Sequence, residues 1–130
     1  MNEDVVACLF KAEECLIDCQ ILVREARYEA ACNRAYYAFF DGIRALLATK
    51  QIGINSHSAA QSLFGLHFVK TGLFDKKYSR DVNRLLEKRQ GADYELNSVL
   101  SQYDAENSLQ ISTEFIGAVR RYVKTLTTLS

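Results

Sequence analysis

The sequence predicts an all-α fold: a single domain over residues 1–130, built as an up-and-down bundle of four to five helices. Three observations carry this. None of the 130 residues is proline, so nothing interrupts the hydrogen-bond ladder of a helix. Apolar residues recur at spacings of three and four, the period of one helix face, and no useful length of chain alternates apolar and polar residues as a half-buried strand does. Hydrophobic residues make up 48% of the chain, enough for a domain of this size to bury about two-thirds of its unfolded surface. No internal repeat, low-complexity tract or linker divides it.

The first helix is read over residues 4–25, where Val5, Cys8, Leu9, Ala12, Leu16, Cys19, Leu22 and Val23 share one apolar face. The second covers 28–50 and ends before Gly53, in a turn rich in Gly, Asn and Ser between Gln51 and His57. Ser58 with Gln61 three residues later has the form of a capping box, so a third helix starts there. It runs to about Thr71 and stops at Gly72. A fourth covers 75–90 with Gly91 as its C-terminal cap, and residues 92–103 read as irregular. The fifth runs from Asp104 to Leu126, with Leu109, Ile111, Phe115, Val119, Tyr122 and Leu126 at its apolar positions.

Sixteen basic and sixteen acidic residues balance to zero net charge. That argues against strong non-specific nucleic-acid binding, which needs a basic excess, and implies no DNA specifically. The charge is uneven, however. Met1–Glu29 holds seven acids against three bases, and Lys70–Arg89 seven bases against three acids. The two segments either attract each other or form two solvated faces. Glu3 and Asp4 near the start do not read as a signal peptide, and no apolar run is long enough for a bilayer. A cytoplasmic, reducing location follows, with the four cysteines Cys8, Cys15, Cys19 and Cys32 as free thiols. Cys15 and Cys19 lie one helical turn apart, but no second ligand pair follows. They read as buried thiols, with neither a metal nor a cofactor implied.

The second helix is the most informative stretch. At about 100° per residue it shows three stripes: a broad apolar one (Cys32, Tyr36, Phe39, Phe40, Ile43, Leu46, Leu47), a small-residue one (Ala31, Ala35, Ala38, Gly42, Ala45) and a polar one (Arg34, Tyr37, Asp41, Arg44). Small side chains let another helix approach closely, so this helix is expected to be enclosed, at the centre of the bundle or at a seam with a partner. Arg34, at the edge of the small stripe, then needs a partner, because a buried guanidinium costs several kcal/mol when unpaired. It is read either as an Arg–carboxylate clamp, in part with Asp41, or as an anion or phosphate contact.

The run Asn33-Arg34-Ala35-Tyr36-Tyr37-Ala38-Phe39-Phe40, followed by Arg44-Ala45-Leu46-Leu47, resembles the signature of the HEPN superfamily, in its small stand-alone prokaryotic branch. Ser56-His57, Phe68-Val69-Lys70-Thr71-Gly72, and Arg89 followed by Ala92-Asp93-Tyr94 agree with it, in order and spacing, over nearly the whole chain. The resemblance implies a homodimer with a cleft at its seam. It also implies either an RNA-cleaving, toxin-like activity or a nucleotide- or protein-binding role beside a minimal nucleotidyltransferase. The family's ribonuclease motif is an arginine followed after four to six residues by a histidine. Arg89 matches the arginine, but Tyr94, Glu95 and Leu96 stand where the histidine falls. His57 and His67 lie in another segment and do not take its place in the motif.

Three readings stay open. The first is a dimeric module that partners a nucleotidyltransferase or binds nucleotide in a toxin–antitoxin-like system, with Arg34, Tyr37 and His57 as the binding residues. The second is a metal-independent ribonuclease in which Arg89 stabilises phosphorane charge, Asp93 acts as base if burial raises its pKa, and Tyr94 donates a hydrogen bond. Tyr94 is also a conceivable acceptor for nucleotide transfer. The third is a non-catalytic structural dimer in which Arg89, Asp93 and Tyr94 form a local clamp. His57 alone reads as a capping or packing residue and His67 as a core or seam residue. Lys76, Arg80, Arg84 and Lys88, spaced by four, read as a solvated stripe or as a contact for RNA or acidic protein.

Overall fold

The computed structural model describes residues 2–94 and 99–129, the side chains of 91–94 and 128–129 excepted. The elements are α1 (Glu3–Arg24), α2 (Tyr28–Thr49), α3 (His57–Phe64) running into a π-helical turn (Gly65–Val69), α4 (Lys77–Tyr94) and α5 (Gln102–Leu129). The all-α class and the helix order match the sequence reading. No helix is long and apolar enough to cross a membrane among the described residues.

The helix α2 is the centre of the bundle, packed against α1, α3, α4 and α5. Its large side chains Tyr36, Phe39, Ile43, Leu46 and Leu47 are buried, and Phe39 stacks on Phe115 of α5 at 3.8 Å. The small-residue stripe is closed as well: Ala31, Ala35, Ala38 and Ala45 are fully buried. Two contacts show how close the neighbours come. Ser112 of α5 donates to the Ala35 carbonyl at 2.6 Å, and the Cys19 thiol of α1 donates to the Ala31 carbonyl at 3.2 Å. The enclosure expected of this helix is thus met within one chain, without a partner.

Helix ends account for the boundaries that differ from expectation. The cap of α3 is Ser56, whose hydroxyl accepts from the Ala59 amide at 3.1 Å. Ser58 is not the cap, and Gln61 donates instead to Asn83 of α4 at 2.9 Å. The third helix was read to about Thr71, but its helical part ends at Val69, and the turn that follows closes at Gly72 in a left-handed conformation (φ +83°) that a Cβ would strain. Gly91 does not cap α4, which continues to Tyr94. A glycine inside a helix costs only about 1 kcal/mol relative to alanine, and no proline follows to enforce a stop. The π-helical turn leaves the His67 carbonyl to accept from Lys50 at 3.1 Å and Thr71 at 2.9 Å, while Phe68 stays in the core with Phe64.

The oppositely charged segments are not joined by an ion pair among the described residues. Lys77 pairs with Glu114, Lys88 with Asp104, Arg120 with Glu13 and Arg44 with Asp41. All four cysteines are free and buried, and burial pushes the Cys19 thiol up to about 12.

Candidate functional site

Three elements bring polar and aromatic groups together on one side of α2. Arg34, Tyr36, Tyr37 and Phe40 come from α2 itself, at spacings that share a helix side. His57 is the first residue of α3, placed there by the Ser56 cap. Arg89 reaches across from α4.

Tyr36 is 1% exposed, yet its hydroxyl lies 2.8 Å from Nδ1 of His57. The His57 ring is stacked on Phe40, with centroids 3.9 Å apart and planes 3° from parallel, and stands edge-on to Tyr37 at 5.9 Å. Arg89 donates to the Tyr37 hydroxyl at 3.1 Å. Its guanidinium lies 5.4 Å from the Tyr36 ring centre and 5.2 Å from that of Tyr37, within cation–π range. Its Nε is buried and has no hydrogen-bond partner. A second guanidinium, Arg34, lies 4.9 Å from the Tyr37 ring centre and donates to Asn33 at 3.0 Å.

The expected Arg34–carboxylate clamp is not what forms. Asp41 takes Arg44, one turn on, at 3.1 Å, and accepts a long contact from the Cys15 thiol at 3.9 Å. Arg34 instead has Asn33, the Tyr37 ring and the Cys15 sulfur at 4.0 Å. Both Arg34 and Asp41 sit in the same stripe, but the shorter i,i+3 reach of Arg44 wins. Neither Arg34 nor Arg89 forms an ion pair among the described residues.

Electrostatics follow from this arrangement. The His57 pKa is held below its ordinary value, first by burial and then by the Arg89 guanidinium, with Arg44 adding and Asp41 opposing. The Tyr36 phenol is pushed up by burial against the pull of Arg89. Asp41 is raised by burial, which outweighs Arg44. The face therefore holds a neutral imidazole at physiological pH, two guanidinium groups with no carboxylate partner among the described residues, and stacked aromatic rings. Such a set can receive a phosphate and a base and can accept a proton.

Of the six residues proposed from sequence, Arg34, Tyr37, His57 and Arg89 are brought together. Asp93 lies one helical turn beyond Arg89 on α4 and Tyr94 ends that helix, so neither stands in an irregular segment. Their side chains, and Glu95 and Leu96 entirely, lie outside the described residues. Tyr36 and Phe40 were read as apolar-stripe residues within the family's signature run, not as site residues. The hydroxyl of a tyrosine at a core position was the one available sign that Tyr36 reaches a polar neighbour.

The HEPN domain family model matches residues 5–122. A protein of Thermotoga maritima named "UPF0332 protein" is 33% identical, over 89% of this chain and 88% of the relative. A protein of Methanocaldococcus jannaschii named "Putative toxin" is 31% identical, over 95% of this chain and 92% of the relative. A second protein of that organism with the same designation is 31% identical over 87% of this chain and 77% of its own length.

Proposed function

This chain belongs to the HEPN domain family, and from that premise we propose that it is a toxin-like HEPN module whose Arg34–Tyr37–His57–Arg89 face binds the phosphate and base of a nucleotide or of single-stranded RNA. One observation carries the reading: Arg89 donates to Tyr37 at 3.1 Å over two tyrosine rings, with no carboxylate to neutralise it among the described residues. A phosphate oxygen brings negative charge to this guanidinium, whose planar fork suits it. The stacked Phe40–His57 pair offers a flat surface for a base, a contact worth about 1–3 kcal/mol in other proteins. The names of the M. jannaschii relatives support a toxin-like role. In a toxin–antitoxin-like pair the module works as a homodimer beside a minimal nucleotidyltransferase.

The test is to titrate ATP, AMP and a short single-stranded RNA into the purified protein by calorimetry or fluorescence anisotropy. Arg89→Ala and Arg34→Ala should each weaken binding about tenfold or more, the loss expected for a charge-assisted hydrogen bond. Wild-type protein that binds none of these ligands rejects the reading. Affinity purification from the native host tests for the nucleotidyltransferase.

A second reading, RNA cleavage, is favoured by the closeness of His57 to Arg89. Neutral His57 takes the proton of a ribose 2′-hydroxyl, whose oxygen attacks the adjacent phosphorus. The bond from phosphorus to the 5′-oxygen breaks, that oxygen takes a proton from solvent water, and Arg89 stabilises the phosphorane charge. The base is then His57 rather than Asp93. RNA incubated with chelator should yield 2′,3′-cyclic phosphate ends, and His57→Ala should lower the rate about a hundredfold. RNA that is bound but left intact rejects this second reading and keeps the first.

A further inference from the structure

The direction of one hydrogen bond decides what His57 can do. The Tyr36 phenol is buried, and its oxygen lies 2.8 Å from the His57 Nδ1. A buried hydroxyl hydrogen left without an acceptor costs roughly 1–3 kcal/mol. Among the described residues Nδ1 is the one acceptor bonded to this hydroxyl. Arg89 lies over the Tyr36 ring, carries only donors and gives its own bond to Tyr37. The reverse bond, from an Nδ1 hydrogen to the phenol oxygen, strands the phenol hydrogen, so the phenol donates. A neutral imidazole holds a single ring hydrogen. With Nδ1 accepting, that hydrogen sits on Nε2. Phe40 covers one face of the ring, with centroids 3.9 Å apart. Nε2 lies across the ring from the phenol, on an exposed residue, and no group bonds it among the described residues.

We propose that Tyr36 is a positioning residue that fixes His57 in its Nε2–H tautomer, so that His57 serves as an uncharged hydrogen-bond donor to a phosphate oxygen of the ligand. The proposal rests on the nucleotide-binding reading of this face and deepens it. The charged and titratable groups around the ring are Arg44, Asp41, Tyr36 and Tyr37 of α2 and Arg89 of α4. Arg89 and Arg44 both oppose a positive charge on the imidazole. An uncharged donor escapes that repulsion, since only the protonated ring meets it. It also donates across the whole pH range of the folded protein. A histidine with its hydrogen on Nδ1 offers an Nε2 hydrogen only when protonated. The Nε2–H tautomer has no free lone pair at that nitrogen, so it separates the two readings above. Binding uses the Nε2 hydrogen, whereas base catalysis by His57 needs the other tautomer.

Long-range proton–nitrogen NMR of the imidazole, at a pH above its titration, reads the tautomer in the wild-type protein. Nε2 should appear as the hydrogen-bearing nitrogen and Nδ1 as the acceptor, with the signals assigned by their loss in His57→Gln. Tyr36→Phe keeps the ring in the core and removes only the hydroxyl. It should move the Nδ1 resonance and raise the His57 pKa, because protonation at Nδ1 no longer strands the phenol hydrogen. With AMP as the probe, His57→Phe should weaken binding about tenfold at an unchanged circular-dichroism spectrum, the loss of one hydrogen bond to a charged group. His57→Gln, whose amide also donates without charge, should recover most of that loss. A hydrogen on Nδ1 in the wild type overturns the proposal. So does a His57 pKa that falls in Tyr36→Phe, or a glutamine variant that binds AMP as weakly as the phenylalanine one. Wild-type protein that shows the Nε2 hydrogen but binds no AMP rejects the binding reading and the donor role with it, which sets that failure apart from a wrong tautomer.

Discussion

The Tyr36 hydroxyl and the His57 Nδ1 lie 2.8 Å apart, so a phenol rooted in the core orients an imidazole at the surface. Behind the same phenol ring sits Arg89, which helps to hold the His57 pKa below its ordinary 6.5, after burial. Arg89→Ala should therefore move that pKa upward, as read from the His57 ring protons by NMR titration and assigned with His57→Gln. A histidine depressed in this way binds fewer protons folded than unfolded. Stability then rises with pH between the folded pKa and 6.5 and is level above, and Arg89→Ala should narrow that window. An unmoved titration would place Arg89 too far from the ring to act at the site.

Asp41 predicts a pH effect of the other kind. Its carboxylate is buried, and burial raises its pKa above the usual value despite Arg44. The folded state then binds more protons than the unfolded chain between pH 3.8 and the folded pKa, so stability falls as pH rises through that window and the deficit persists above it. Asp41→Asn removes the titration. Its stability relative to wild type should improve from about pH 4 to about pH 7, as followed by urea midpoints. A difference that stays constant with pH would show that the carboxylate titrates normally.

The enclosure of α2 was legible because alanine and glycine on one side and large apolar residues on the other leave only a narrow polar stripe for water. Arg34 and Tyr37 were legible as a pair for the same reason, one turn apart on the remaining stripe. The meeting of His57 with Arg89 was not. It depends on the turn from Lys50 to Ser56, where Gln51 takes φ +59°, and no local pattern states where that turn delivers α3. Nor does periodicity choose between Arg34 and Arg44 for Asp41, since all three share a stripe and only side-chain reach decides. The exposed Val6, Phe10, Ile17 and Ile21 on the outer side of α1 were hidden by its inner face, because a helix apolar on two opposite sides carries a weakened periodic signal.

The turn between α1 and α2 stores strain that one substitution can release. Ala26 sits at φ +58°, between amide bonds from Ala26 to Val23 at 3.1 Å and from Arg27 to Leu22 at 2.8 Å. A side chain in this left-handed region costs roughly 1–2 kcal/mol. Ala26→Gly should gain about 0.5–1 kcal/mol net of the added freedom of the unfolded chain, raising Tm by a few degrees. Gln51→Gly, at the far end of α2, should behave alike, and the two gains should add. A neutral or destabilising result would mean that the tight turn is not kept in solution.

At Gly42, α2 and α5 pack too closely to admit a side chain between them. A Cβ there would stand 2.6 Å from the Ile116 Cδ1 and 2.9 Å from the Phe115 Cε2. The isoleucine end can swing away, but the Phe115 ring is fully buried and stacked on Phe39 at 3.8 Å, so it has nowhere to go without moving α5. Overpacking of this sort costs about 1–3 kcal/mol, which exceeds the ~1 kcal/mol that alanine brings to a helix interior over glycine. Gly42→Ala should therefore lower the urea midpoint at an unchanged slope, whereas Gly53→Ala, whose Cβ meets nothing within 4 Å, should not. The same displacement carries α2 and its Arg34 and Tyr37 relative to the rest of the bundle. Ligand affinity should then fall along with stability, although Gly42 touches none of the site residues. A Gly42→Ala protein as stable as wild type would show that the two helices pack farther apart than this contact requires.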